Sequence, residues 1–229
     1  MRYLIIVLLS VLSIQFSHSQ INEIGIFVGG SNFIGDVGAT NYIAPNQFAF
    51  GGIYKWNRSK RHSYRLSLLI SDLKGVDAKS DDPRRQQRGL EFTTSITEIS
   101  AGVEFNFLDF DLHKKRRVAT PYMFTGITAA NHKDFFFVSG EQRNDNTYSW
   151  ALGIPMGLGF KASLTNRFVL AAEIGARYTF SDGLDGSLPA DSSNSQFRFG
   201  NINNNDWYVF SGITLTYTFG ERPCYCPPE

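Results

Sequence analysis

Trp150-Ala151-Leu152-Gly153-Ile154-Pro155-Met156-Gly157-Leu158-Gly159-Phe160-Lys161 sets a large apolar side chain at every even position and, mostly, a small one at every odd position. A period of two belongs to an extended strand, whose side chains point alternately to its two faces. In a soluble sandwich the large residues would turn inward, and the other face would be polar and bulky. Here the other face is mostly glycine and alanine. An apolar outside and a narrow inside describe a strand of a small barrel in lipid. Pro155 falls on the small face, where it predicts a bulge.

The same pattern runs outward in both directions. Ile24, Ile26 and Val28 alternate with Glu23, Gly25 and Gly29. Phe48, Phe50, Tyr54 and Trp56 alternate with Gln47, Ala49 and Lys55. Tyr64, Leu66, Leu68 and Ile70 alternate with Ser63, Arg65, Ser67 and Ser71. Ile99, Val103, Phe105 and Phe107 face away from Glu98, Ser100, Gly102 and Glu104. Tyr122 and Phe124 lie in a run whose face is less clear. Phe168 to Phe180 and Trp207 to Phe219 complete the set. These are eight strands of about 9–14 residues, long enough to cross a bilayer at a tilt. Tyr54, Trp56, Tyr64, Tyr122, Trp150, Tyr178, Trp207, Tyr217 and Phe219 cluster near strand ends, as interfacial girdles do. The predicted fold is therefore all-β: an eight-stranded antiparallel transmembrane β-barrel of the outer membrane.

Composition agrees. The chain has 229 residues, 20 Phe, 10 Tyr, 3 Trp and 21 Gly. That aromatic load excludes disorder. A formal charge of +1 argues against a general nucleic-acid binder. No segment after the first twenty residues has the roughly 18 consecutive apolar residues of a membrane helix. Residues 1–19 read as a signal peptide: a basic start, an apolar run from Leu4 to Ile14, and small residues before Gln20. The barrel domain is then 20–219, with a tail at 220–229. Connections alternate in length. Asn57–His62, Leu108–Ala119 and Ser163–Arg167 are short. Ile34–Asn46, Gly75–Leu90, Asn131–Thr147 and Ser181–Asp206 are longer on average, and Ser187–Asn205 reads as a mobile loop. Short turns and both termini are expected in the periplasm, and long loops outside.

The near-neutral total hides an asymmetry: the short turns sum to +6 and the long loops to −4. Arg58, Lys60, Arg61, Lys114, Lys115, Arg116 and Arg117 supply most of the basic end. They suit either phospholipid phosphates or an acidic periplasmic partner. Arg65, Glu104, Glu173 and Arg177 are expected in the lumen as a salt-bridged plug, with Glu98 and Lys55 as further candidates. Cys224 and Cys226 lie in the tail. They could pair with each other, pair with a partner, or remain free, and two thiols alone make a weak metal site. No cofactor, metal, small-molecule substrate or nucleic acid is expected. Glycine-rich phosphate loops and catalytic motifs are absent, so no enzyme is predicted. The enzymatic alternative would be a lipid-modifying barrel using His132.

Several stretches together resemble PorG-like outer-membrane proteins of the type IX secretion system of Bacteroidota. They are Glu23-Ile24-Gly25-Ile26 through Gly35-Asp36-Val37, Arg88-Gly89-Leu90-Glu91-Phe92 with Glu98, and Glu104-Phe105-Asn106-Phe107. Pro121-Tyr122-Met123-Phe124, Ile154 to Lys161, Glu173 to Tyr178 and Ser181 to Asp185 follow. Asn205 to Gly220 and the Cys-Tyr-Cys tail close the series. Gly183-Leu184-Asp185-Gly186 departs from the Tyr-Leu-Asp-Asp expected there. The resemblance implies a non-enzymatic accessory of protein secretion and gliding, in contact with outer-membrane lipid. It would anchor a periplasmic ring of a PorK-like lipoprotein and a PorN-like protein. The alternative is a stand-alone surface barrel acting in adhesion, or a structural barrel similar to OmpA or OmpW.

Overall fold

The computed structural model describes residues 21–112, 117–201 and 204–220. The expected signal peptide at 1–19, Lys114, Lys115, Arg116, Cys224 and Cys226 lie outside the described residues. Eight strands form one closed antiparallel barrel in sequence order. They are β1 (Ile21–Ile34), β2 (Gln47–Asn57), β3 (His62–Val76), β4 (Glu91–Asn106), β5 (Ala119–Val138), β6 (Glu141–Ser163), β7 (Phe168–Thr179) and β8 (Trp207–Phe219). β8 returns to β1 with Asn22 opposite Phe219 and Ile34 opposite Trp207, so no edge is left unpaired. Among the described residues no helix is long and apolar enough to cross a membrane.

The outer wall is apolar. Ile26 is 57% exposed, Leu158 65% and Ile127 72%, and every strand adds to this surface. A water-facing monomer rarely carries a contiguous apolar patch beyond a few hundred Å². A belt around the whole barrel makes sense only against hydrocarbon. Aromatic pairs sit near both rims: Trp56 with Tyr64 and Phe168 with Tyr217 at one end, Tyr178 with Trp207 at the other. The architecture is that of an outer-membrane β-barrel.

Four expectations need correction. Asn131–Thr147 is not a loop. β5 and β6 continue beyond the barrel as a hairpin closed at Ser139-Gly140, both at positive φ (53° and 87°). Such a turn matches the right-handed strand twist. The pairing persists because Phe135 and Phe137 fall on one face and are buried against Phe92 and Phe199. Pro155 makes no bulge. Thr125–Met156 and Thr128–Gly153 keep one register on either side of it, and the shift lies instead between Lys133 and Phe135. There Asp134 of β5 stands alone opposite Asp145, Asn146 and Thr147 of β6, so the extra residues lie on β6, where Asn146 has a positive φ of 55°. Tyr122 is not a girdle residue: it and Phe124 are buried in the lumen, while Met123 faces out. Nor is the lumen face small throughout, because Phe27, Ile53, Leu69 and Phe210 also point in.

The lumen is therefore layered. A polar layer fills the end that carries the short turns. Above it Phe27, Leu69, Leu73, Phe92 and Phe135 belong to one apolar cluster, which continues into Val37 and Leu184 of the loops. The Ser187–Asn205 stretch, expected to be mobile, contains a 3₁₀ helix at Ser192–Phe197. Phe197 stacks on Phe136, with ring centroids 5.3 Å apart.

Candidate functional site: a charged lumen and its two closures

Arg65, Glu104, Glu173 and Arg177 all lie in the lumen, but they form two groups rather than one. In the lower group Glu104 is fully buried. Its Oε1 is 2.5 Å from Lys161 Nζ and its Oε2 is 2.8 Å from Lys55 Nζ. Arg65 lies 3.9 Å from the same Oε2. Arg65 also grips Glu173 with both terminal nitrogens, and the Tyr122 hydroxyl donates to Glu173 at 2.7 Å. Its guanidinium covers the Phe124 ring at 4.5 Å. The upper group is Arg177 with Glu98, at 3.1 Å from Nε to Oε2, and the Tyr208 hydroxyl donates to Glu98 at 2.6 Å. Near the turns Glu23 accepts from Asn57 at 2.8 Å and from Thr216 at 2.6 Å.

Each choice of residue follows from burial. An ion taken out of water costs several kcal/mol unless charge and hydrogen bonds replace its hydration. Lys55, Arg65, Lys161 and Arg177 are matched in number by Glu23, Glu98, Glu104 and Glu173, all of them buried. Arginine and tyrosine reach across the barrel and still satisfy a carboxylate at the far wall. Glu98 and Lys55, the further candidates, are thus members of the network. Lys161 and Glu23 belong to it too, although the expected set omitted them. Their signal was present, since both alternate with outward-facing neighbours. Tyr208 alternates with the outward Trp207 and so was legible as inward, whereas Tyr122 was not, because a lumen tyrosine and a girdle tyrosine look alike in sequence.

The turn end is closed by the β4–β5 connection. Phe110 is buried there, with Lys161 Nζ 4.7 Å from its ring centroid. The β2–β3 turn docks on this connection: Phe110 N donates to Lys60 O at 3.1 Å and Asn106 N to Arg61 O at 2.8 Å. Arg58, Lys60, Arg61 and Arg117 are all exposed at this end. Acidic neighbours offset part of the charge, with Arg61 2.7 Å from Asp109 and Lys60 3.4 Å from Asp111.

The loop end is closed by carboxylates that accept backbone N–H groups across connections. Asp77 is buried and accepts from Gly38 N at 2.8 Å, Leu90 N at 3.0 Å and Arg88 Nε at 2.8 Å. Arg88 closes the six-residue helix Pro83–Arg88, capped by Asp82 at its start and by Gly89 in the left-handed region at its end. Burial alone would raise the Asp77 carboxyl, but Arg88 and the two N–H groups outweigh it and hold it below the usual carboxylate range. Its contribution is therefore complete at neutral pH and fades as pH falls through that lowered value. Asp77→Ala should cost the loop end about 1–3 kcal/mol. The check is amide exchange at Gly38 and Leu90, which should accelerate while the barrel strands stay protected.

His132 is buried at the top of the lumen, with Nδ1 3.7 Å from Asp134 Oδ1. The Ser149 hydroxyl donates to Asp134 at 2.9 Å. The acid thus stands between serine and histidine, an order that cannot pass a serine proton to the imidazole. Among the described residues no three acidic, histidine or cysteine side chains converge as metal ligands.

A family model described as a domain of unknown function, DUF6089, matches residues 2–228. The chain belongs to the DUF6089 family. Comparison with curated proteins finds no match. Similar solved structures include Ail of Yersinia pestis, crystallised with the heparin analogue sucrose octasulfate. That structure has 12% identity, covers 88% of this chain and all of its own, and has a TM-score of 0.48. The N-terminal barrel of Pseudomonas aeruginosa OprF has 12% identity, with 88% and 98% covered and a TM-score of 0.45. OprG of the same organism has 11% identity, with 88% and 96% covered and a TM-score of 0.40. The Gly186 departure in this DUF6089 chain has a local cause. Gly186 has φ 74°, and a Cβ there would meet the Phe135 ring at 2.6 Å. An aspartate at that place would need the apolar cluster to move.

Proposed function

We propose that this barrel is a non-enzymatic outer-membrane anchor for a periplasmic assembly. In the reading favoured by the PorG-like resemblance, that assembly is the ring of a PorK-like lipoprotein and a PorN-like protein in type IX secretion. The observation that carries the proposal is the closed, ion-paired lumen. A barrel filled by Arg65, Glu104, Glu173, Arg177 and their partners is built to be rigid, not to pass cargo. What remains for function is its two ends and its wall. The end that carries Arg58, Lys60, Arg61 and Arg117 also starts β1 and ends β8 at Phe219, a few residues before Cys224 and Cys226 in the sequence. With that end in the periplasm, the exposed cations and tail thiols form the docking face, joined by Lys114, Lys115 and Arg116. The mainly acidic loops would then face outward.

The test is association in the native membrane. Reversing Arg58, Lys60, Arg61 and Lys114–Arg117 to Glu should abolish co-purification of the ring components and stop secretion, with the barrel still inserted. Cys224→Ser with Cys226→Ser should remove any reductant-sensitive slow band on a non-reducing gel. Full ring association and secretion in the charge-reversal variant would overturn the anchor reading. If deletion within Ser181–Asp206 abolished the cellular phenotype while secretion continued, the surface-adhesion reading would replace it.

A further inference from the structure

Four carboxylates lie near enough to repel one another at the loop end of the barrel, with little charge to balance them. Asp185 Oδ2 accepts from the backbone N–H groups of Asp36 at 2.9 Å and Val37 at 3.2 Å, and Oδ1 accepts from Ser187 N at 3.0 Å. Asp36 Oδ2 accepts from Asn201 N at 2.7 Å. Asp206 Oδ2 accepts from Leu184 N at 2.9 Å. These bonds tie the β1–β2 connection to the β7–β8 connection at several points. Asp182 Oδ1 and Asp206 Oδ1 are different: both are buried with no hydrogen-bond partner, and Asp206 is fully buried. Asp206 Oδ1 lies against Gly35, beside Asp36, and so points into the cluster.

An ionised carboxylate oxygen left bare in such a place is costly, and a proton removes the cost. The surrounding charges do not remove it. Arg198 attracts Asp182 but is itself exposed. Arg88 is committed to Asp77 and to the Asp36 carbonyl, at 2.8 Å and 2.7 Å. Metal neutralisation lacks a converging ligand set among the described residues. We propose that Asp182, Asp185 and Asp206, packed beside Asp36, form a proton-set latch. Protons held on these three carboxyls keep the β1–β2 and β7–β8 connections closed over the barrel mouth, and loss of those protons loosens them.

The titration has the sign this requires. Burial, then the charges of Asp185, Asp182 and Asp36, push the Asp206 carboxyl well above the ordinary range. Burial, then Asp185 and Asp36, raise Asp182 to about 6 against the pull of Arg198. Burial also raises Asp185, although its bonds from Ser187 oppose this. Groups with raised values hold more protons in the closed form than in the open one. The closed form is therefore favoured most at acid pH, and the advantage is lost as pH rises through about 6 and beyond. Asp77 behaves oppositely, so the two clasps of the same mouth respond to pH in opposite directions.

The test is amide exchange by mass spectrometry on the full chain in lipid nanodiscs, with EDTA, from pH 5 to pH 8. Rates are corrected for the intrinsic pH dependence of exchange. Segments 33–45 and 181–201 should lose protection about tenfold or more across this range, while barrel strands hold constant. Asp182→Asn with Asp206→Asn, which mimics the protonated pair, should keep both segments protected at pH 8. Heat-modifiable migration on a gel reports that each variant is folded. A flat profile in the wild-type protein overturns the latch even if the double variant fails to fold. So does an unchanged slope in a folded double variant.

Discussion

Glu104→Gln lowers the unfolding free energy of the barrel by about 3–5 kcal/mol, the range for breaking a buried ion pair on one side. The glutamate is fully buried and faces Lys55, Lys161 and Arg65 within 4 Å. Glutamine keeps the shape and removes the charge, which leaves buried ammonium groups without a counterion. Urea titration of the protein refolded in lipid vesicles measures the loss through Trp fluorescence and gel mobility. Adding Lys161→Met should recover part of it, because one of the stranded cations leaves as well. That non-additivity separates charge imbalance from simple loss of packing. A loss below about 1 kcal/mol would place the network in the class of solvent-screened surface pairs and overturn the rigid-plug account.

The second large effect lies on the other face of the wall. Ile213→Arg costs about 2–4 kcal/mol in a bilayer, whereas Phe219→Arg costs about 0–1 kcal/mol. Ile213 is 55% exposed and stands midway along β8, between Trp207 at one rim and Phe219 at the other. A guanidinium there has no water within reach, whereas at Phe219 it meets the interface. Equilibrium unfolding from phospholipid vesicles gives both numbers. Equal costs at the two positions would remove the membrane belt from the account of this surface. The Glu104 and Ile213 variants thus test the two solvents of one strand wall independently.

The two expected effects also mark what could be read in advance. Ile213 was legible as lipid-facing from its neighbours alone, since alternation is a property of extended backbone. Glu104 was legible as lumenal for the same reason, yet its partners were not. Lys161 comes from β6 and Lys55 from β2, and nothing local to either strand says that they converge on Glu104. Where local pattern failed, a competing packing decided. The β5–β6 hairpin looked like a loop because polar residues from Gln142 to Thr147 hide its alternation. It stays paired because Phe135 and Phe137 bury against aromatic residues of β4 and the β7–β8 connection. Pro155 looked like a bulge because proline lacks an N–H. The strand instead loses local ladder pairing with β5 and keeps its register.

By itself the sequence determined the strand number, the lipid-facing side of most strands and the uneven charge of the two ends. These depend only on a period of two and on the residues between the runs. The tertiary structure alone decided which charges meet. Arg65 and Glu173 are 108 residues apart, and Glu98 and Tyr208 are 110 apart. Their meeting depends on the stagger and tilt of all eight strands once the barrel closes. The acidic mouth has the same origin. Asp36, Asp185 and Asp206 are ordinary loop residues in the chain, and they become a cluster only when closure brings β1 beside β8.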